Sequence, residues 1–291
     1  MTTHVLVGYG YCASYLAKTL LDRGLKVVAL SRQKPSYLPP NLKHITIDIG
    51  NTAFDFPESS ILYYFVPPLG DSIEDLSLRF FLSHLKNPPL KVIYVGSSGI
   101  YGDHQGHEVK ETSPCYIKTK RQQQRQNHEQ QFMQFASKQG IPCALLRTSG
   151  IFGPHRLPLE AVKAQTPVIF PEQAPLINHI DIFSLANILM HLGLGQTYHG
   201  ILNIADGNPK PMGYIQQQCA LLMNAPPAPY LSFSECYAQA SPFKREFMEQ
   251  NKYLSIQRLQ QLLSASNIHL PPIEKAIAMS LKNMHDKSSP C

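Results

Sequence analysis

Through its first 150 residues the chain alternates short, almost unbroken apolar runs with longer segments whose apolar residues recur every three to four positions. The runs fall at 4–7, 26–30, 44–47, 61–66, 91–95 and 144–146. Strands buried on both faces of a parallel sheet have this texture, because helices cover both sides and neither face meets water. Segment 11–23 places Ala13, Leu16, Ala17 and Leu20 on one helical face and meets Gly24 as a stop. Asp71 with Glu74 three residues on predicts a capping box opening a second helix, whose apolar side is Leu76, Phe80 and Phe81. The alternation predicts an α/β fold, a Rossmann-type doubly wound parallel sheet.

Residues 122–139 read QQQRQNHEQQFMQFASKQ, a glutamine-rich stretch with Phe132, Met133 and Phe135 near its end. That pattern predicts a solvated helix docked by its last two turns. After residue 150 the alternation weakens and prolines thicken, at 154, 158, 167, 171 and 175 and again from 209 to 229. Helices are expected near 184–194, 211–223 and 255–264.

The composition excludes several classes. With 43% hydrophobic and 16% charged residues, 291 residues can bury a sizeable core, and global disorder is excluded. The net charge of +6 is spread along the chain. Its densest cluster, Lys118, Lys120, Arg121 and Arg125, is too short for a nucleic-acid surface, so no nucleic-acid partner is expected. A mild attraction for anionic small ligands fits the charge equally well. Cysteines 12, 115, 143, 219, 236 and 291 form no C-x-x-C and no metal-ligand spacing with histidine, which predicts reduced thiols and no metal. No leader pattern opens the chain, and no apolar run approaches the ~18 residues of a membrane span. A soluble, cytoplasmic protein without a membrane partner is expected.

The first apolar run ends in Gly8-Tyr9-Gly10-Tyr11-Cys12-Ala13 and passes directly into an amphipathic segment. The spacing G-x-G-x-x-A after a strand and before a helix suits a dinucleotide-binding turn. Gly8 allows the turn, Gly10 lets the backbone approach a pyrophosphate, and Ala13 lets the helix pack on the sheet. The N–H groups of Tyr11, Cys12 and Ala13 then face the phosphates. A Gly-rich turn on another α/β fold, a methyltransferase above all, is the alternative. The second run ends in Ser31 and Arg32 with no carboxylate to take ribose hydroxyls. This favours NADP(H) over NAD(H) and disfavours a methyltransferase.

Further motifs follow in order: Gly96-Ser97-Ser98-Gly99-Ile100-Tyr101-Gly102-Asp103, Glu111-Thr112-Ser113-Pro114, Arg147-Thr148-Ser149-Gly150-Ile151-Phe152-Gly153-Pro154, and Gly200-Ile201-Leu202-Asn203-Ile204. The series resembles the extended short-chain dehydrogenase/reductases, the NAD-dependent epimerase/dehydratase superfamily, over nearly the whole chain. The resemblance implies an NAD(P)-binding Rossmann domain over 1–150, to which 180–204 returns. It also implies a smaller C-terminal substrate-binding region over 151–179 and 205–291. Asp48 and Ile49 would lie beside the adenine, Pro67 near the cofactor's ribose, and Ser97 would be catalytic. Tyr101, Arg156 and His179 fall where substrate contacts are expected, Arg156 against an anionic group.

The family's Tyr-x-x-x-Lys is where this chain departs. Counting without gaps from Glu111 to Glu129 puts Arg121 at the tyrosine and Arg125 at the lysine. A guanidinium does not release its proton at neutral pH. Tyr116 and Lys120 do spell Y-x-x-x-K, five residues early, and form the candidate dyad if they share a helix face. Two functions remain open. One is an NADP(H)-dependent oxidoreductase or epimerase acting on a small or sugar-like carbonyl or hydroxyl substrate, with the proton from Tyr116, Tyr101 or water. The other is a non-catalytic NADP(H)-binding protein that senses redox state or serves a partner. A polar helix where the family builds its dimer predicts a monomer or weak homodimer.

Overall fold

The computed structural model describes residues 2–195 and 197–285. Seven strands form the central sheet: β1 (Thr3–Val7), β2 (Lys26–Ser31), β3 (Lys43–Thr46), β4 (Ser60–Tyr64), β5 (Lys91–Val95), β6 (Cys143–Thr148) and β7 (Gly200–Ile204). They stand in the order β7-β6-β5-β4-β1-β2-β3, all parallel. Val5 faces Val28 on one side and Leu62 on the other. From β1 the chain builds outward to β3, then crosses back to β4. That reversal opens a crevice at the carboxyl ends of β1 and β4, where such sheets bind ligands.

The helices are α1 (Tyr11–Leu21), α2 (Leu76–Ser83), α3 (Lys120–Gln139) and α4 (Ile182–Leu194), with shorter helices in the C-terminal half. On one face of the sheet Leu16, Ala17 and Leu20 of α1 and Leu185, Ile188 and Leu189 of α4 pack over Leu6, Ala29 and Ile93. On the other, Leu78 and Phe81 of α2 and Phe132, Phe135 and Ala136 of α3 pack over Val5, Leu62, Tyr64 and Val92. Leu16 and Leu20 are fully buried, each contributing about 1.5–3 kcal/mol of transfer free energy.

Two expectations are corrected. The second helix is capped by Asp75, whose carboxylate accepts from the backbone N–H of Leu69 (2.9 Å) and Leu78 (3.0 Å). Asp71 lies outside that helix, exposed, 3.8 Å from the Lys120 ammonium. The glutamine-rich helix is held along most of its length, since Gln122, His128 and Glu129 are buried as well as Phe132 and Phe135. The reason is chemical: each buried polar side chain meets a partner from another element. His128 Nε2 lies 2.8 Å from the Asp75 carboxylate, and Glu129 takes a bidentate pair from Arg147 on β6.

Past residue 150, Phe152, Leu157, Val162, Cys219, Ile273 and Ile277 form a separate apolar cluster. Ile169, Cys236, Ala240 and Met248 form another. Leu254, Ile256, Leu259 and Leu263 instead join the main core beside Leu202 and Ile204 of β7. Among the described residues Cys12, Cys115, Cys143, Cys219 and Cys236 are free thiols; Cys291 lies outside them. No described helix is long and apolar enough to cross a membrane.

Candidate functional site

The first turn is shaped for close approach. Gly8 has φ +88°, and a Cβ there would meet Val66 Cγ2 at 2.7 Å, so the turn requires glycine. A Cβ on Gly10 would meet nothing within 4 Å: the space over the start of α1 is open. No side chain caps this helix, which leaves the first-turn N–H groups of Tyr11, Cys12 and Ala13 to an outside acceptor. Ala13 is buried against the sheet. Burial pushes the Cys12 thiol up to about 11, so it stays protonated and unreactive. An open, uncapped helix start behind an obligatory glycine fits a dinucleotide's phosphates.

At the end of β2 the Ser31 hydroxyl donates to the Gln33 carbonyl (2.7 Å) and lies 2.8 Å from His44 Nε2, while Arg32 is exposed. The Asp48 carboxylate is exposed and accepts from Gly50 N–H and the Asn51 amide. Ile49 beside it packs into the sheet's second core. Pro67 follows β4 and lines the cleft described next.

That cleft has a volume of about 420 Å³ and lies at the carboxyl ends of β4, β5 and β6. Ser97 lines it. Its Oγ accepts from Gly99 N–H (3.2 Å) at the start of a short helical turn, which fixes the side chain and leaves the O–H to donate. Thr148 and Ser149 also line it, with buried hydroxyls that have no described partner. Arg156 enters from the C-terminal half, 4.1 Å above the Tyr11 ring, and the Tyr11 hydroxyl donates to the Pro154 carbonyl (2.9 Å). These contacts tie the start of α1 to the cleft.

Three sequence expectations do not survive as written. Tyr116 and Lys120 share no helix face: α3 begins at Lys120, because Thr119 caps it in a reciprocal box with Gln122. Tyr116 is half exposed in the preceding loop, packed on His104, and Lys120 points to Asp71. Neither lines the cleft. Tyr101 is fully buried, its hydroxyl donates to Asn203 Oδ1 (2.8 Å), and burial pushes it up to about 12. It is not among the residues that line the cleft. His179 is not among the cleft-lining residues; its ring sits edge-on to Phe152, and burial pulls the imidazole down to about 4, so it stays neutral.

The cleft instead receives Arg121 and Arg125 from α3, the positions given by the gapless count, with Gln122 between them donating to the Gly99 carbonyl (2.9 Å). It also receives Lys252, which sequence reasoning missed. Lys252 is buried, and its ammonium donates to the Gly102 carbonyl and Gln250 Oε1, both at 3.0 Å. Desolvation pulls its pKa down to about 8, with Asp103 opposing the shift. No local pattern marks it, since it reaches the Ser97 turn from 150 residues further along. No group of described His, Cys, Asp or Glu side chains could hold a metal ion.

The sequence matches no protein-family model and no curated protein. Solved structures match over nearly the whole chain. A functionally unknown conserved protein from Silicibacter pomeroyi superposes with a TM-score of 0.77 at 21% identity, covering 97% of this chain and 99% of that one. The UDP-glucose 4-epimerase of Thermus thermophilus, solved with NAD, gives 0.74 at 16% identity, covering 99% and 100%. The UDP-glucuronic acid 4-epimerase of Bacillus cereus, solved with UDP-glucuronic acid and NAD, gives 0.76 at 15% identity, covering 98% and 99%. The likeness is one of fold: this chain has the architecture of these epimerases.

Proposed function

We propose that this chain is an NAD(P)-dependent enzyme of the epimerase and oxidoreductase kind, acting on a sugar-like or small substrate at a carbon that passes between hydroxyl and carbonyl. The observation that carries the reading is the junction of two features. An open, uncapped helix start follows Gly8, and a cleft holding Ser97 lies beside it, joined through Arg156 over Tyr11. The epimerases of like fold support the same reading through the NAD and UDP-sugars they are solved with. The pyrophosphate would rest on the N–H groups of Tyr11, Cys12 and Ala13, with the adenine half near Asp48 and Ile49 and the ribose near Pro67. We propose NADP(H) in preference to NAD(H), because Ser31 and Arg32 close β2 without a carboxylate.

A nicotinamide bound there supplies hydride transfer; the protein supplies orientation and protons. Ser97 donates a hydrogen bond to the substrate oxygen as its charge changes. With Tyr101 buried and Tyr116 off the cleft, the group suited to move a proton near neutrality is Lys252, whose Nζ is pulled toward that range by burial. A soluble cytoplasmic monomer or weak homodimer completes the proposal.

Proton NMR of UDP-glucose and UDP-glucuronate incubated with protein and cofactor, together with absorbance at the reduced-nicotinamide band, tests this. Conversion or cofactor reduction that falls by about 10²-fold in Ser97→Ala supports it. A second reading, a redox-sensing or partner protein that binds cofactor without turnover, is favoured by the arginines at the dyad positions. Cofactor binding with no conversion across sugar-nucleotide and small carbonyl substrates would select it.

A further inference from the structure

The cleft carries more positive charge than hydride transfer needs. Among its described lining residues Arg121, Arg125, Arg156 and Lys252 are cationic, and Glu246 alone is anionic. Lys252 is committed, since it donates to Gly102 and Gln250, while the Arg156 guanidinium lies over the Tyr11 ring at the cleft's edge toward α1. Arg121 touches the Phe243 ring, 4.8 Å from its centroid, and makes no hydrogen bond or ion pair with a described residue. Arg125 is half-buried beside Tyr94 and likewise has no hydrogen-bonding or carboxylate partner among the described residues.

A desolvated guanidinium without a partner is costly, and a second one repels it. Burial acts against the charge on Arg125 and the neighbouring Arg121 adds to that effect, with Tyr94 beside it opposing the shift only in part. An isolated protein gains nothing from that arrangement, whereas an anion between the two relieves both costs at once. The spacing suits this. Residues four apart on a helix share a face, and planar guanidinium forks match carboxylate and phosphate oxygens in pairs. Gln122 holds this first turn of α3 against the Ser97 turn through Gly99.

We infer that Arg121 and Arg125 form a clamp for an anionic group, carboxylate or phosphate, carried by the part of the substrate that lies beside Ser97. The inference rests on the proposed reading of the cleft as a substrate site, and it narrows the substrate to an acidic one. The two arginines are then binding groups occupying the positions of an acid/base pair.

The test is thermal unfolding of the full chain at matched ionic strength with glucuronate, inorganic phosphate or glucose added. An anion held only in the folded state raises the melting temperature, and glucose serves as the neutral control. The clamp predicts a rise with glucuronate, with phosphate, or with both, and none with glucose. Glucuronate acting alone marks a carboxylate site, and phosphate acting alone a phosphate site. The anion's affinity should fall about tenfold in Arg121→Gln and in Arg125→Gln, and remain in Arg79→Gln, which removes a surface charge outside the cleft. Arg121 is exposed, so Arg121→Gln keeps the test readable if Arg125→Gln fails to fold. No rise with either anion, or a rise that Arg121→Gln keeps in full, overturns the clamp. Titration with NADH and NADPH separates the two ideas: anion binding without cofactor binding leaves the clamp standing and removes the enzyme reading.

Discussion

Arg147 on β6 and Glu129 on α3 form a bidentate ion pair, Nε to Oε1 at 3.0 Å and Nη2 to Oε2 at 2.7 Å, with both side chains almost wholly buried. The same guanidinium lies 4.5 Å above the Tyr101 ring, so one arginine joins the helix, the sheet and the turn that begins at Ser97. Removing one member strands a buried charge. Glu129→Ala should lower stability by about 3–5 kcal/mol, read from urea unfolding, while the double replacement Glu129→Leu with Arg147→Met should recover most of the loss.

The two glycines of the first turn should fail differently. Gly8→Ala places a Cβ against Val66 at a left-handed φ and should cost stability by about 1–2 kcal/mol or more. Gly10→Val meets open space in the folded chain and should leave the melting temperature nearly unchanged while blocking approach of a pyrophosphate. Thermal unfolding and cofactor titration of both variants separate a folding glycine from a binding one.

Lys252 should make stability depend on pH in the alkaline range. Its pKa is lowered from 10.5 to about 8 by burial. Between those values the unfolded chain holds a proton that the folded chain has released, so stability rises as pH goes from about 8 to 10.5. Below pH 8 the buried ammonium is charged in the folded state and its cost is fully present. Lys252→Met should therefore stabilise the protein at pH 7, and that advantage should shrink above pH 8. If Lys252 moves the proton, the variant also loses the inflection near pH 8 in the rate profile; rate and stability are read separately.

The central sheet was legible because its inner strands are buried on both faces, and the runs at 26–30 and 91–95 carry that signature locally. The glycine turn was legible for the same reason, since strand, turn and helix are contiguous. The inward polar face of α3 was not. The partner of His128 is Asp75, 53 residues back, and that of Glu129 is Arg147 on another element. A glutamine-rich segment reads as solvated until those partners are known. The Tyr116–Lys120 spacing misled because i to i+4 has meaning only on a helix, and the Thr119–Gln122 box starts that helix four residues after the tyrosine. The gapless count to Arg121 and Arg125 found cleft residues that chemistry alone would have passed over as surface charge.

The most direct measurement is a fluorescence titration of the purified protein with NADPH and, separately, NADH. The account predicts saturable binding of a reduced nicotinamide dinucleotide, tighter for NADPH, and lost in Gly10→Val. Absence of saturable binding for either would contradict it, leaving Gly8 and Gly10 as a structural turn and the Ser97 cleft without the cofactor its chemistry requires.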